Sequence, residues 1–349
     1  MFAHWSRFAS LALLIALVGL AGCGLGGDSP RPPTPAYQKV AASMRIDGLA
    51  VNLDRPDGTR FEQPLAAELW FKGAAPRGER CLNVTVHGAG EGRWVYSMAA
   101  PADWALADYA YVNYITDVCD VLVFDMPGVG KSPAMPQDKD GLTMTAAAAG
   151  SLIRQLVEIF TKGLGPAAGL TYSGKVFLTG HSVGSIDVLA GYPYDGKVAG
   201  LIITGLVLTP HPLGNGLALN DFLGYATTPF PVYSDEFWAK MAYYSPGLVP
   251  LKGKYGTHEM TLAQLQAGIQ TAMNPASLMT SRIKTDVLLV SGGEDAVYPG
   301  GFLENDAATF YGSASTEITV PTDTGHATFM HKSAPTTLLA IREWIKKRN

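Results

Sequence analysis

Cysteine is scarce in this chain, with three in 349 residues, and the seven histidines show no His-x-x-x-His spacing. Clustered Cys/His ligand sets are therefore absent, which argues against a structural or catalytic metal site. Charge is thin as well: 26 basic against 30 acidic side chains give a formal net charge of −4. The basic residues form no stripe and the aromatic ones do not interleave with them, so nucleic-acid binding is excluded. No internal repeat is visible. The apolar run from Phe8 to Leu20 is thirteen residues long, too short to span a bilayer comfortably.

What that run does form is a leader. Arg7 precedes it and Leu20-Ala21-Gly22-Cys23 follows it, the arrangement of a secretory signal over residues 1–22. The last four residues resemble the bacterial lipobox, which makes Cys23 the candidate lipidation site and the mature N-terminus. A plain signal peptide or an uncleaved anchor are the alternatives. Residues 23–42, rich in Gly and Pro, read as a tether of about 40 Å for its first dozen extended residues. Gly24 resembles the residue after the cysteine in lipoproteins of the outer membrane. The expected location is the bacterial cell envelope, with the protein lipid-anchored to a membrane.

Beyond the tether, residues 43–349 alternate strand-like and helix-like segments. Residues 43–53 and 65–71 read as an opening pair of strands joined by an Asp57-Gly58 turn. Further strands are expected near 82–86, 121–124, 175–179, 199–207, 286–291 and 316–320. The clearest helix covers about 144–162, where Leu152, Ile153, Leu156 and Phe160 make one apolar face. Such alternation predicts an α/β architecture, a mostly parallel sheet with helices on both faces. About 75 residues, roughly 211–285, lack strand signals. They carry aromatic and methionine residues, including Phe222, Tyr225, Tyr233, Phe237, Trp238, Tyr243, Tyr244 and Tyr255, and read as a helical cap of which a minority touches ligand.

Chemistry concentrates at Gly180-His181-Ser182-Val183-Gly184, which follows the apolar run Val176-Phe177-Leu178-Thr179 and leads into a helix-compatible segment. A serine on a tight strand-to-helix turn needs small residues two positions either side. The turn would expose the hydroxyl and set the Val183 N–H at a helix N-terminus, where it can help hold an oxyanion. A serine hydroxyl needs a histidine to take its proton and an acid to orient that histidine. Asp295 follows the strand-like run 286–291, and His326 lies in the loop after 316–320.

These residues resemble the α/β-hydrolase superfamily, in which the order is Ser, Asp or Glu, then His. Leu82-Asn83-Val84-Thr85-Val86 with His87-Gly88-Ala89-Gly90 resembles its oxyanion strand and turn, and Asp125-Met126-Pro127-Gly128-Val129-Gly130-Lys131-Ser132 resembles the turn after its next strand. The resemblance implies an α/β-hydrolase fold with an eight-stranded sheet, a second oxyanion N–H from Ala89, and catalysis by Ser182, Asp295 and His326 without a cofactor. It also implies that the strands holding Cys81 and Cys119 are parallel neighbours, so these cysteines are either bridged or two buried free thiols. Glu294 is the rival acid, though Ala296-Val297-Tyr298-Pro299 fits the family's acid loop after Asp295. Asp323 reads as a solvated carboxylate, His331 as helical, His258 as cap surface, Asp125 as a turn acceptor, and His87 and His181 as backbone-bonding motif residues. Gly128 to Ser132 ends like a P-loop, but Asp125 stands where that loop needs glycine and Pro127 lacks an N–H. The implied activity is serine hydrolysis of a small or lipid-like carboxylic ester. Alternatives are a lipase, thioesterase, lactonase or acyltransferase on the same triad, or a non-catalytic binding member of the fold. Oligomeric state leaves no trace in the sequence.

Overall fold

The computed structural model describes residues 41–54, 58–98, 110–135, 141–214, 216–242 and 260–349. The leader, Cys23, nearly all of the tether, and Asp57, Tyr243, Tyr244, Tyr255 and His258 lie outside the described residues. Ten strands occur among the described ones. Eight form one sheet: β1 (Ala42–Arg45), β4 (Ala67–Phe71), β6 (Cys119–Phe124), β5 (Cys81–Val86), β7 (Val176–His181), β8 (Val198–Thr204), β9 (Asp286–Val290) and β10 (Thr316–Thr319), in that spatial order. β1–β4 and β4–β6 pair antiparallel, and every pair from β6 across to β10 is parallel.

The opening of the chain differs from the two-strand expectation. Gly48, at φ +73°, turns the backbone inside the segment expected to be continuous, so β1 ends at Arg45 and a new strand, β2 (Ala50–Asp54), begins. β2 pairs with β3 (Arg60–Pro64) in a separate two-stranded sheet, and β4 returns to pair with β1. The turn at Gly58, φ +82°, therefore joins β2 to β3.

All residues of β5, β6 and β7 are buried, which requires cover on both faces. Helices α1 (Tyr111–Ile115) and α8 (Ala334–Arg348) pack together, as do α2 (Ala146–Lys162) and α3 (Val183–Ala190). α2 shows why its sequence chose a helix. Thr145 caps it by accepting the Ala148 N–H at 3.2 Å, Gly163 ends it in the left-handed conformation, and Leu152, Ile153, Leu156 and Phe160 are fully buried. Each such side chain contributes about 1.5–3 kcal/mol by leaving water.

Cys81 and Cys119 stand in register on β5 and β6 and form a disulfide with a Cα separation of 4.6 Å. The 38-residue span would restrict the unfolded chain by about 4 kcal/mol in the chain-entropy account. Between β8 and β9 the chain carries α4 (Leu219–Leu223), α5 (Asp235–Ala242) and α6 (Leu262–Met273). A short α7 (Leu303–Ala307) precedes β10.

Candidate active site

Three loops at the carboxyl ends of β7, β9 and β10 meet at Ser182, Asp295 and His326. Ser182 sits between β7 and α3 at φ +51°, ψ −120°, a conformation that costs a non-glycine residue of order 1–3 kcal/mol. The flanking glycines make this turn physically possible. A Cβ on Gly180 would stand 2.5 Å from the Gly184 carbonyl oxygen, and one on Gly184 would stand 2.2 Å from that of Val86. The elbow is thus in direct backbone contact with the end of β5.

His326 Nε2 lies 3.0 Å from Ser182 Oγ, and Nδ1 lies 3.0 Å from Asp295 Oδ2. An ionised carboxylate only accepts, so Nδ1–H donates to Asp295 and Nε2 is left to accept from the serine hydroxyl. Asp295 is itself fixed: its Oδ1 accepts the N–H groups of Val297 at 2.8 Å and Tyr298 at 2.7 Å. Burial pushes the Asp295 carboxyl up, but the His326 charge and hydrogen bond, with the two backbone donors, outweigh it and hold the group below the ordinary carboxylate range. Burial alone would lower His326. Asp295 more than reverses that, with a further contribution from Glu91, and the imidazole is held above its ordinary value.

Glu294 is exposed while Asp295 is buried, which separates the two rival acids. Asp323 is exposed. His331 is not helical: it follows a 3-10 turn in extended backbone, and its Nε2 accepts the Gly325 N–H at 2.9 Å, bracing the loop before His326. Asp125 accepts from the backbone N–H groups of Arg93 and Lys131 and from the Arg93 side chain, the work of a turn acceptor.

His87 bonds backbone at both ring nitrogens. Its Nε2 accepts from the Met126 N–H at 3.0 Å, so Nδ1 carries the proton and donates to the Gly88 carbonyl at 2.9 Å. That carbonyl shares a planar trans peptide with the Ala89 N–H, which must therefore point the opposite way. Ala89, Val183, Ser182 and His326 all border one cavity of about 270 Å³. Among the described residues, neither the Ala89 nor the Val183 N–H has a hydrogen-bond partner.

The rest of that cavity is mainly apolar. Phe222, Tyr233 and Met241 reach it from the segment between β8 and β9, whereas Tyr225 meets Tyr233 edge to face and packs against Phe237. Sequence reasoning missed three contributors. Asp306 on α7 accepts from the N–H groups of Leu208 and Thr209, pinning the chain as it leaves β8. His211 lines the cavity, its ring nitrogens 2.6 and 2.7 Å from the carbonyl oxygens of Thr209 and Val297. Glu91 is buried against the oxyanion turn, and its only sequence signal is a lone carboxylate following His87-Gly88-Ala89-Gly90. Among the described residues no group of three or more His, Cys, Asp or Glu is arranged to hold a metal ion.

Known proteins resemble this arrangement at the level of fold. A thermophilic esterase from Thermogutta terrifontis is 20% identical, with a TM-score of 0.57 over 86% of this chain and 99% of its own. A monoacylglycerol lipase from Paleococcus ferrophilus is 18% identical, with a TM-score of 0.55 over 82% of this chain and 100% of its own. A soluble variant of monoglyceride lipase from Saccharomyces cerevisiae, complexed with a substrate analogue, is 15% identical, with a TM-score of 0.58 over 91% of this chain and 98% of its own. No curated protein matches by sequence. Residues 84–341 match the Alpha/beta hydrolase family, a span that runs from within β5 into α8 and takes in all three loops above. The chain belongs to the alpha/beta hydrolase family.

Proposed function

We propose that this protein is a serine hydrolase that cleaves carboxylic esters through an acyl-enzyme. The observation that carries the reading is the continuous relay from Ser182 Oγ through the His326 ring to Asp295, with 3.0 Å at each step. In the reaction, Ser182 attacks the ester carbonyl as its proton passes to His326 Nε2. Asp295 keeps the imidazole in the required tautomer and offsets the charge it gains. Negative charge on the tetrahedral oxygen is met by the N–H groups of Val183 and Ala89, each such donor stabilising the transition state by about 3–4 kcal/mol. His326 returns the proton to the departing alcohol. Water then repeats the sequence on the acyl group and frees Ser182. The apolar walls from Phe222, Tyr233 and Met241 support an acyl or aromatic substituent as the group received.

A fluorophosphonate probe tests the reading. Mass spectrometry should find one adduct, on the peptide containing Ser182, and the labelled protein should lose turnover of short p-nitrophenyl esters. An adduct elsewhere, or turnover that survives full labelling of Ser182, would overturn it.

The lipobox-like leader supports a second element of the reading, attachment of the enzyme to a membrane of the bacterial envelope through Cys23. Metabolic labelling with a fatty-acid analogue should mark the exported protein, and Cys23→Ser should abolish that mark. Equal labelling of the variant would refute the anchor.

A further inference from the structure

Two tyrosines on the wall of the Ser182 cavity carry hydroxyls that the protein leaves unused. Tyr233, just before α5, is 4% exposed, and Tyr298, in the loop after Asp295, is 5% exposed. Among the described residues neither hydroxyl has a hydrogen-bond partner, and neither oxygen is sealed off inside protein. Other buried tyrosines spend this group on the fold. Tyr96 donates to the Val86 carbonyl at 2.8 Å, Tyr111 to Asn83 Oδ1 at 2.9 Å and Tyr172 to Asp120 Oδ2 at 2.7 Å. A buried phenol normally finds such a partner, so two without one on a single cavity wall point to a bound group.

The remaining polar side chains on the wall have no donor to spare. Ser182 donates to His326 Nε2, and the His326 Nδ1–H goes to Asp295. Thr209 donates to Asp306 Oδ1 at 2.6 Å. Each ring nitrogen of His211 faces a backbone carbonyl, so any proton the ring carries is already bound. Among the described residues no Lys or Arg borders the cavity, and the other side chains there are apolar. The two phenols are thus the only free side-chain donors among the described residues of the wall, in a setting where an unmatched polar group weakens binding.

Both hydroxyls are held in place. A phenol oxygen lies on the long axis of its ring, so a ring fixed by packing fixes the oxygen too. Tyr233 packs against Tyr225 and Phe237, each 4.9 Å away between centroids, and Tyr298 against His211 at 5.7 Å and His326 at 5.6 Å. The Tyr298 backbone is pinned as well, its N–H by Asp295 Oδ1 at 2.7 Å and its carbonyl by the Ser291 hydroxyl at 2.5 Å. Burial pushes both phenols upward, reinforced by Tyr298 and Tyr225 at Tyr233 and by Asp295 at Tyr298. Each therefore keeps its proton through the pH range in which a histidine base works.

We infer that Tyr233 and Tyr298 form a polar subsite for an uncharged oxygen, a hydroxyl or a carbonyl, that the ester carries in addition to its scissile group. The favoured substrates are then oxygenated esters, ahead of plain hydrocarbon ones of the same length. Both residues set specificity, and their effect on turnover rests on the hydrolase reading. Two comparisons test the subsite and tell the acyl side from the alcohol side: p-nitrophenyl hexanoate against its hydroxyhexanoate counterparts, and butyl hexanoate against hydroxybutyl hexanoates. In at least one of them the oxygenated ester should have a kcat/KM about 10- to 100-fold higher, and the comparison that responds names the side. Tyr233→Phe and Tyr298→Phe should each lower kcat/KM for that ester by about 5- to 10-fold and raise it about two- to three-fold for the plain one, because no hydroxyl is left stranded against hydrocarbon. The ratio of the two esters does not depend on how much of a variant is folded. An unchanged ratio in both variants, or no preference in either comparison, would overturn the subsite. Calorimetric titration of Ser182→Ala with the same esters reads the subsite without turnover, and the oxygenated ester should bind about tenfold tighter. If the parent takes no fluorophosphonate on Ser182 and turns over none of the esters, the hydrolase reading fails while the difference in binding still decides the subsite.

Discussion

Ser182→Ala is expected to lower kcat for p-nitrophenyl esters by about 10⁵- to 10⁶-fold, the scale on which loss of a nucleophile acts when its partners work as a unit. The hydroxyl is the only atom removed, and its one polar contact among the described residues is with His326 Nε2. Alanine would keep the turn, the Val183 N–H and the apolar cavity, so substrate or product affinity should persist within a few-fold. Kinetics and calorimetric binding of a slowly cleaved ester, taken together, check both halves. A protein that only binds ligand on this scaffold would show no difference between parent and variant. Turnover within tenfold of the parent would end the acyl-enzyme mechanism.

Asp295→Asn should cost about 10⁴-fold in kcat, because it inverts the proton arrangement rather than the geometry. Asparagine can still accept from Val297 and Tyr298, but its NH₂ would face Nδ1 and leave the proton on Nε2, pointing at a hydroxyl that now has no base. The pH profile carries a second signature. His326 must be neutral to act and Asp295 holds it above the ordinary imidazole value, so parental activity should rise with pH through a midpoint above about 6.5. Removing the carboxylate withdraws that upward influence, and the acid limb of the residual activity should move to lower pH. A loss smaller than tenfold, or an acid limb that does not move, would show that another group orients the imidazole.

The members of this site were legible in unequal measure, for physical reasons. Ser182 and Asp295 each follow an apolar, largely buried strand, so the strand is located by its composition and the next polar residue falls in the loop, whereas the half-exposed strand before His326 shows itself only by its β-branched residues. The two cysteines could be aligned only through the sheet order that the hydrolase resemblance supplied. Strand β1 is hard to bound from sequence because all four of its residues are exposed and carry no alternation to mark where the edge strand stops. The β2–β3 hairpin is hidden within the same stretch. His331 reads as helical from sequence, yet its ring serves the loop before His326, a local tertiary contact that overrides helix propensity. Glu91 is invisible for a different reason: it faces His181, which comes from another strand, and neither residue announces the other. His181 was expected to bond backbone, yet it bonds the side chain of Thr204, a choice made by β8 and not by the elbow itself.

The missing Cβ of Gly184 sets a boundary on how this turn can be changed. Since a methyl group there would collide with the carbonyl oxygens of Val86 and His87 at 2.2 and 2.6 Å, the turn that carries Ser182 has no slack to be retuned by small substitutions. Diversification, natural or directed, is left with the cavity walls outside the elbow, to which Phe222, Tyr233 and Met241 contribute.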